Sequence, residues 1–257
     1  MSVKKVEITR IRSDGSTETL EDSVASDVAV CIFVDSEFYR TLVASPGMLE
    51  ELVVGHLYAE GVVSSPADIG ELNVQPERVD VSLRHPVNLS EITMRKSRLL
   101  TTACAGSPRI RPGSVRRVKP VEDLDAALIH GVVDELNRLS TVFRETGGTH
   151  SALIHHMDDG FVAFAEDVGR HNAVDKVIGA LVLGGVDPSR CVLLSTGRQS
   201  GEMVLKAARA GIPIVASMTV PLVSGVRLAE ASGITLTALG IGRLKVFTHP
   251  ERIIGSA

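Results

Sequence analysis

Gly160-Phe161-Val162-Ala163-Phe164-Ala165-Glu166-Asp167-Val168-Gly169-Arg170-His171-Asn172-Ala173-Val174-Asp175-Lys176-Val177-Ile178-Gly179-Ala180-Leu181-Val182 decides the fold class. Residues 160 to 165 read as a strand. Ala173, Val174, Val177, Ile178, Leu181 and Val182 recur at the spacing of a buried helix face. Between them, Glu166 to Asn172 crowds ionisable and amide side chains into the junction. Where a strand ends and a helix begins, backbone N–H groups and the positive helix end collect, and α/β proteins hold anionic ligands there. The same residue types also suit a helix cap with surrounding salt bridges. The string alone leaves both readings open.

Working outward, helix and strand alternate. Leu124, Leu128, Val132, Leu136 and Leu139 mark an amphipathic helix, and Ser151 to His155 a strand. Cys191 to Leu194 is a short buried strand, followed by the turn Ser195 to Gly201 and a helix marked by Met203, Val204, Ala207 and Ala208 that Gly211 ends. Ile212 to Ser217 is a strand, Leu222 to Ala229 a helix that stops at Gly233, and 234–239 and 244–248 the last strands. This alternation predicts a mainly parallel, two-sided sheet. Right-handed crossovers then put the strand-to-helix turns on one edge, so residues 166–172 and 195–202 share a cleft.

The first part of the chain is less regular. Val3 to Ile11, Val28 to Val34 and Phe38 to Ala44 look like strands, and 74–83 like another. Ser45 is placed to cap a helix with Pro46 at its first position, and Gly61 to end it. Residues 95 to 119 hold eight basic side chains and no acidic one, with Gly106, Pro108, Pro112 and Gly113 making turns. The expected organisation is an N-terminal lobe, residues 1–120, and a C-terminal α/β lobe, residues 121–257.

Composition excludes several classes. Hydrophobic residues make up 44% of the 257 with no Trp, so the core is built from Val, Leu, Ile and Ala, which favours α/β architecture. With 27 Lys and Arg against 31 Asp and Glu, the net charge of −4 argues against nucleic-acid binding as the main task. The start shows no signal-peptide pattern, and the longest apolar stretch, Val177 to Val186, is far short of the ~18 residues of a membrane span. Three widely separated cysteines, Cys31, Cys104 and Cys191, do not suggest a disulfide framework and fit a reducing cytoplasm.

Cys104 is the one cysteine outside an apparent strand. It lies in Ala103-Cys104-Ala105-Gly106-Ser107, amid the basic stretch, where positive charge favours the thiolate. That describes a nucleophile or a sulfur carrier; the plain alternative is an incidental loop thiol. Gly197-Arg198-Gln199-Ser200-Gly201-Glu202 follows a buried strand and opens a helix. Its glycines admit a phosphate, Arg198 adds charge and Ser200 caps or donates; it equally suits an ordinary tight turn. It lacks the Lys-Ser/Thr of a Walker A loop. His155-His156 with Asp158-Asp159 does not predict a metal site, because neighbouring strand residues point to opposite faces.

These residues resemble a known family. Glu166 to Lys176 is similar to the hallmark of the FdhD family, the formate dehydrogenase accessory sulfurtransferases. The likeness extends through Ser195 to Val204, Ala207 to Pro213, Leu228-Ala229-Glu230 and Phe247 to Ile253. In the first half, Ser45-Pro46-Gly47, Leu52 to Gly61 and Gly147 to Ala152 are similar too.

The resemblance implies a three-layer α/β/α sandwich of the cytidine-deaminase type with a smaller N-terminal α+β lobe. It implies a homodimer that takes persulfide sulfur from a cysteine desulfurase and delivers it to the molybdenum bis(molybdopterin guanine dinucleotide) cofactor of formate dehydrogenase. On that reading Cys104 carries the sulfur. Arg170, His171, Asn172, Gly197, Arg198 and Ser200 bind the cofactor, as do Leu239, Gly240, Ile241, Gly242, Arg243 and Leu244 in a late loop. No resident metal, nucleic acid or membrane is expected. The family typically carries Cys-x-x-Cys at the persulfide loop, and here Ser107 replaces the second cysteine. One thiolate suffices to accept and pass on a sulfur. Ser107 nevertheless gives weight to an alternative, a cofactor-binding chaperone without sulfur transfer. The late loop is also shorter and less basic than in the family. A zinc deaminase reading fails because its His-x-Glu and Pro-Cys-x-x-Cys ligands are absent.

Overall fold

A computed structural model describes residues 2–89, 117–121, 124–240 and 242–254. Cys104, Ser107, Ile241 and the basic residues Arg95, Lys96, Arg98, Arg109, Arg111 and Arg116 lie outside the described residues. The described residues form a mixed α/β fold with six α-helices and four sheets.

The largest sheet has six strands: β8 (His150–His156), β9 (Gly160–Asp167), β10 (Cys191–Ser195), β11 (Ile214–Ser217), β12 (Thr235–Gly240) and β13 (Arg243–Val246). Their order is β13-β12-β11-β10-β8-β9. It is mixed, which corrects the expectation of a mainly parallel sheet: β10–β11 and β11–β12 are parallel, while β8–β9, β8–β10 and β12–β13 are antiparallel. Connection length explains the difference. The β8–β9 and β12–β13 links are tight turns and can only reverse the chain, whereas crossover helices join strands that run alike. Those helices are α4 (Arg170–Leu183), α5 (Gly201–Ala210) and α6 (Val223–Ser232). Thus β9, β10, β11 and β12 end at one edge.

Helices cover both faces. Val174, Val177 and Ile178 of α4, Met203 and Val204 of α5 and Leu228 of α6 pack with Ile154, Leu193, Val215 and Leu236. On the other face α2 (Ala126–Leu139) packs Ile129, Val132 and Leu136 on Leu153, Val192, Leu194 and Ile214. The alternation of Val192, Leu193 and Leu194 between the two cores is the two-residue period of a strand. Asp125 caps α2, accepting from the Ala127 N–H at 2.8 Å. The short α3 (Thr141–Thr146) follows, and β7 (Leu124–Asp125) pairs with β14 (Ile253–Ile254). Leu124 therefore precedes the helix on which its spacing had placed it.

Upstream, β1 (Val3–Ile11) and β2 (Thr17–Ala25) form a hairpin. The strands β3 (Val28–Val34), β4 (Glu37–Ala44), β5 (Ile69–Gln75) and β6 (Arg78–Leu83) make a sheet ordered β4-β3-β6-β5. The single strand expected at 74–83 is a hairpin of two. Its sheet is covered by α1 (Leu49–Glu60), through Val53 and Leu57.

The helix α1 also lies hard against α4. A methyl group on Gly55 would land on the Asp175 carbonyl oxygen, and one on Gly179 on the Glu51 carbonyl oxygen. Glycine is what allows these two backbones to touch. Ser45 does not cap α1, whose N-cap is Met48 in the left-handed region at φ 52°. The physical reason is a competing partner: the Ser45 N–H donates to Asp167 at 3.0 Å, and its Oγ accepts from the Val168 N–H at 3.1 Å.

Candidate functional site at the carboxyl edge of the six-stranded sheet

The hallmark string divides into structural and surface-facing residues. Glu166 accepts from the N–H groups of Val142 at 2.9 Å and Phe143 at 2.7 Å, so it holds the start of α3. Asp167 is fully buried and pairs with Lys176 at 2.7 Å. Asn172, also buried, donates to the Val43 carbonyl at 2.7 Å and to Asp167 at 3.0 Å. Lys176 donates to the Ser45 carbonyl at 2.9 Å. Asp175 pairs with Lys206 and, at 3.0 Å, with Nδ1 of His56. These contacts tie β4 and α1 to the larger sheet. Burial pushes the Asp175 carboxyl up, but Lys206 and His56 outweigh it and hold the group below the usual range. Burial pulls the His56 imidazole down to about 4.

Arg170 and His171, the first two residues of α4, face the turn after β10. The Arg170 stem runs across Gly197, where an added methyl would meet the Arg170 Cβ at 2.9 Å. Sequence reasoning placed these two segments in one cleft, and they touch. Gln199 fixes the turn: its Nε2 donates to Ser195 Oγ at 2.8 Å and to the Gly197 carbonyl at 3.0 Å, where Ser217 Oγ also donates at 3.0 Å. Arg198 is exposed at the tip. Ser200 does not cap α5 with its side chain; the Gly201 N–H donates to Ser224 Oγ at 3.1 Å instead.

Three buried polar atoms with no hydrogen-bond partner gather here: Arg170 Nε, His171 Nε2 and Ser200 Oγ. Buried polar atoms are ordinarily satisfied, so these three single the turn out as a candidate site, with His171 Nε2 lying 3.4 Å from Glu202 Oε2. Beside them is a groove of about 320 Å³, lined by Phe143, Gly148, Thr149, His150, Val168 and Thr196. His150 Nδ1 lies 3.3 Å from Thr196 Oγ1. Burial, then the neighbouring Arg170 and His171, push the His150 imidazole down, so its neutral form is favoured at neutral pH.

The structure thus groups Arg170, His171, Gly197 and Ser200, with Arg198 at the rim. Asn172 is turned into the buried network. Leu239, Gly240, Arg243 and Leu244 form the hairpin β12–β13 with Gly242 at φ 65° in its turn. Leu239 and Leu244 pack into the core on the α2 face. Along the sheet this hairpin starts two strands from β10, about 10 Å away. Sequence reasoning overlooked Phe143, His150, Thr196 and Ser224 and gave Glu202 no role. His150 and Glu202 lie inside strings already singled out. Phe143 and Ser224 are brought in only by tertiary contacts. Among the described residues, no cluster of three or more His, Cys, Asp or Glu is placed to hold a metal ion. No described helix is long and apolar enough to cross a membrane.

Residues 25–254 match the FdhD/NarQ family. The chain belongs to that family. It is 33% identical over 252 residues to the sulfur carrier protein FdhD of Methanothermobacter thermautotrophicus, covering 96% of this chain and 98% of that one. With the sulfur carrier protein FdhD of Thermoplasma acidophilum, identity is 35% over 266 residues, covering 96% and 92%. The fold superposes on the crystal structure of a chain from Desulfotalea psychrophila described as a formate dehydrogenase accessory protein. The TM-score is 0.81 at 29% identity, covering 99% of this chain and 100% of that one. The hallmark segments of this FdhD/NarQ member are therefore partly architectural: Glu166, Asp167, Asn172, Asp175 and Lys176 are taken up by contacts that hold the elements together.

Proposed function

We propose that this FdhD/NarQ member is a sulfur carrier in the maturation of formate dehydrogenase, with Cys104 as the carrying thiol. The Cys104 thiolate attacks the outer sulfur of a persulfide on a cysteine desulfurase. A bond forms to that sulfur, the donor's S–S bond breaks, and the donor cysteine leaves as a thiolate. A second transfer delivers the sulfur to the molybdenum bis(molybdopterin guanine dinucleotide), which is the substrate of this step. A homodimer in a reducing cytoplasm, and kinship of the sheet with the cytidine deaminase fold, belong to the same reading.

The observation that carries this proposal is that Arg170, its buried Nε unbonded, lies across Gly197, in the same turn as the unbonded Oγ of Ser200. Pyrophosphate oxygens suit that set: two guanidinium groups, Arg170 and Arg198, and two helix starts. The first N–H of α5 is already taken by Ser224, so the arginines carry more of the anion binding than the helix end does. The groove beside Phe143 and the neutral-leaning His150 suits a flat, uncharged heterocycle at the end of that pyrophosphate. A titration with guanosine diphosphate tests this. Arg170→Ala is expected to weaken binding about tenfold or more, the worth of one charge-assisted bond, while Cys104→Ala leaves it unchanged. Equal affinity in Arg170→Ala and the parent would remove the site from the mechanism.

A further inference from the structure

The peptide that joins Gly197 to Arg198 is held from one side. Its carbonyl, that of Gly197, accepts from Gln199 Nε2 at 3.0 Å and from Ser217 Oγ at 3.0 Å. Gln199 is 2% exposed and Ser217 is fully buried. The Gln199 amide is fixed in orientation. A carbonyl can only accept, so the nitrogen faces it, and the second hydrogen goes to Ser195 Oγ at 2.8 Å. Ser217 Oγ accepts from the Thr219 N–H at 3.0 Å and so is itself held in place.

In a trans peptide the C=O and the N–H that follows it point in opposite directions. No peptide of the described residues is cis. With the carbonyl turned in toward Ser195 and Ser217 at the ends of β10 and β11, the Arg198 N–H points away from them. Among the described residues this N–H has no acceptor. Arg198 is exposed. The Arg170 stem crosses Gly197, and Ser200 lies two residues beyond Arg198; Arg170 Nε and Ser200 Oγ have no partner either. Gly197 restrains the direction of this peptide less than a residue with a Cβ would, so Gln199 and Ser217 set it.

We propose that the Arg198 backbone N–H is an anion donor of this site, taking a phosphate or pyrophosphate oxygen, and that Gln199 and Ser217 are the residues that position it. The inference rests on the reading of this turn as a pyrophosphate site. It deepens that reading by naming a donor that belongs to the main chain. A peptide turned the other way would set the negative end of the carbonyl dipole against the anion. Two buried side chains thus decide whether the turn attracts an anion or repels it.

The test is NMR of the full chain carrying carbon-13 at the glycine carbonyls and nitrogen-15 in arginine. This labelling singles out the amides of Arg170, Arg198 and Arg243, the three arginines that follow a glycine. Arg198→Lys removes one signal and so assigns it. On titration with guanosine diphosphate, and separately with inorganic pyrophosphate, the Arg198 amide proton is expected to move downfield. Gln199→Met, which keeps the length of the side chain and removes the donor, combined with Ser217→Ala, is expected to weaken guanosine diphosphate binding about tenfold or more. The downfield move is expected to be lost in that double variant even at saturation. If the two residues only stabilised the fold, the saturated double variant would keep the parent's shift, and that result would overturn the positioning role. An Arg198 amide that stays in place in the saturated parent, while Arg170→Ala still weakens binding, would overturn this inference alone. That measurement needs only the parent and Arg170→Ala, so it decides even where the double variant does not fold. A parent that binds neither guanosine diphosphate nor pyrophosphate would overturn the pyrophosphate reading and this inference with it.

Discussion

Asp167 is a carboxylate with no access to water that receives four partners: the N–H groups of Ser45 and Gly169, the Asn172 amide and the Lys176 ammonium. A buried charge so satisfied is stable only while all its partners stay. Asp167→Ala strands Lys176, which is 2% exposed, as an uncompensated cation. It is expected to lower stability by about 3–5 kcal/mol in chemical denaturation. Replacing both residues with leucine and methionine should lose clearly less. A second prediction concerns His56, whose folded value is about 4 against 6.5 in a free chain. Between those pH values the unfolded chain binds more protons, so this contribution to stability falls as pH drops from 6.5 to about 4, by on the order of 3 kcal/mol. The Asp175 contribution is present above the usual carboxylate range and is lost only as pH falls below it. Urea denaturation across pH should show a flatter profile for His56→Gln over that window. At this scale the sequence located the charged string but not its division of labour. Glu166 and Asp175 both look solvated or catalytic on paper. One holds a helix start and the other is buried between α1 and α5, and only their tertiary partners tell the two apart.

Helices α1 and α4 cross with backbone against backbone, and Gly55 and Gly179 are the two positions that permit it. A methyl on either cannot be absorbed by a side-chain shift, because the obstacle is a carbonyl oxygen. Gly55→Ala and Gly179→Ala are each expected to cost about 3 kcal/mol or more, read as a lowered denaturant midpoint. Gly197→Ala meets the Arg170 Cβ at 2.9 Å, an atom fixed to the backbone at the start of α4, so the turn and the helix start have to move apart. It is expected to cost about 1–3 kcal/mol, and affinity for guanosine diphosphate should fall with that of Arg170→Ala. Elements with strong hydrophobic periodicity, α4 to α6 and β10, were legible because their apolar stripes face a core. The hairpin strand β2 was missed, since Thr17-Glu18-Thr19-Leu20-Glu21-Asp22-Ser23-Val24-Ala25 leaves most of its residues exposed and so lacks a buried face to read. The capping role given to Ser45 failed because its Oγ accepts from the N–H of Val168, a residue distant in sequence, and not from the local helix.

At the scale of the molecule, β9 to β12 finish on one edge, and the candidate site lies there, where open α/β sheets generally bind ligands. That edge was legible because strand-helix-strand units end their strands alike. The reversed β8 and β13 were not, because tight turns had to be recognised as such. The candidate site was half legible: Arg170 and the Gly197 turn came from local pattern, whereas the groove of Phe143 and His150 exists only once α3 is docked by Glu166. Sulfur transfer is the central claim, and mass spectrometry of the intact chain after incubation with a cysteine desulfurase and cysteine tests it most directly. The account predicts that the parent gains the mass of one sulfur atom, mapped to Cys104 and removed by a reductant, and that Cys104→Ala gains none. A parent chain that binds guanosine diphosphate but takes up no sulfur would contradict it and favour a chaperone that holds the cofactor without transferring sulfur.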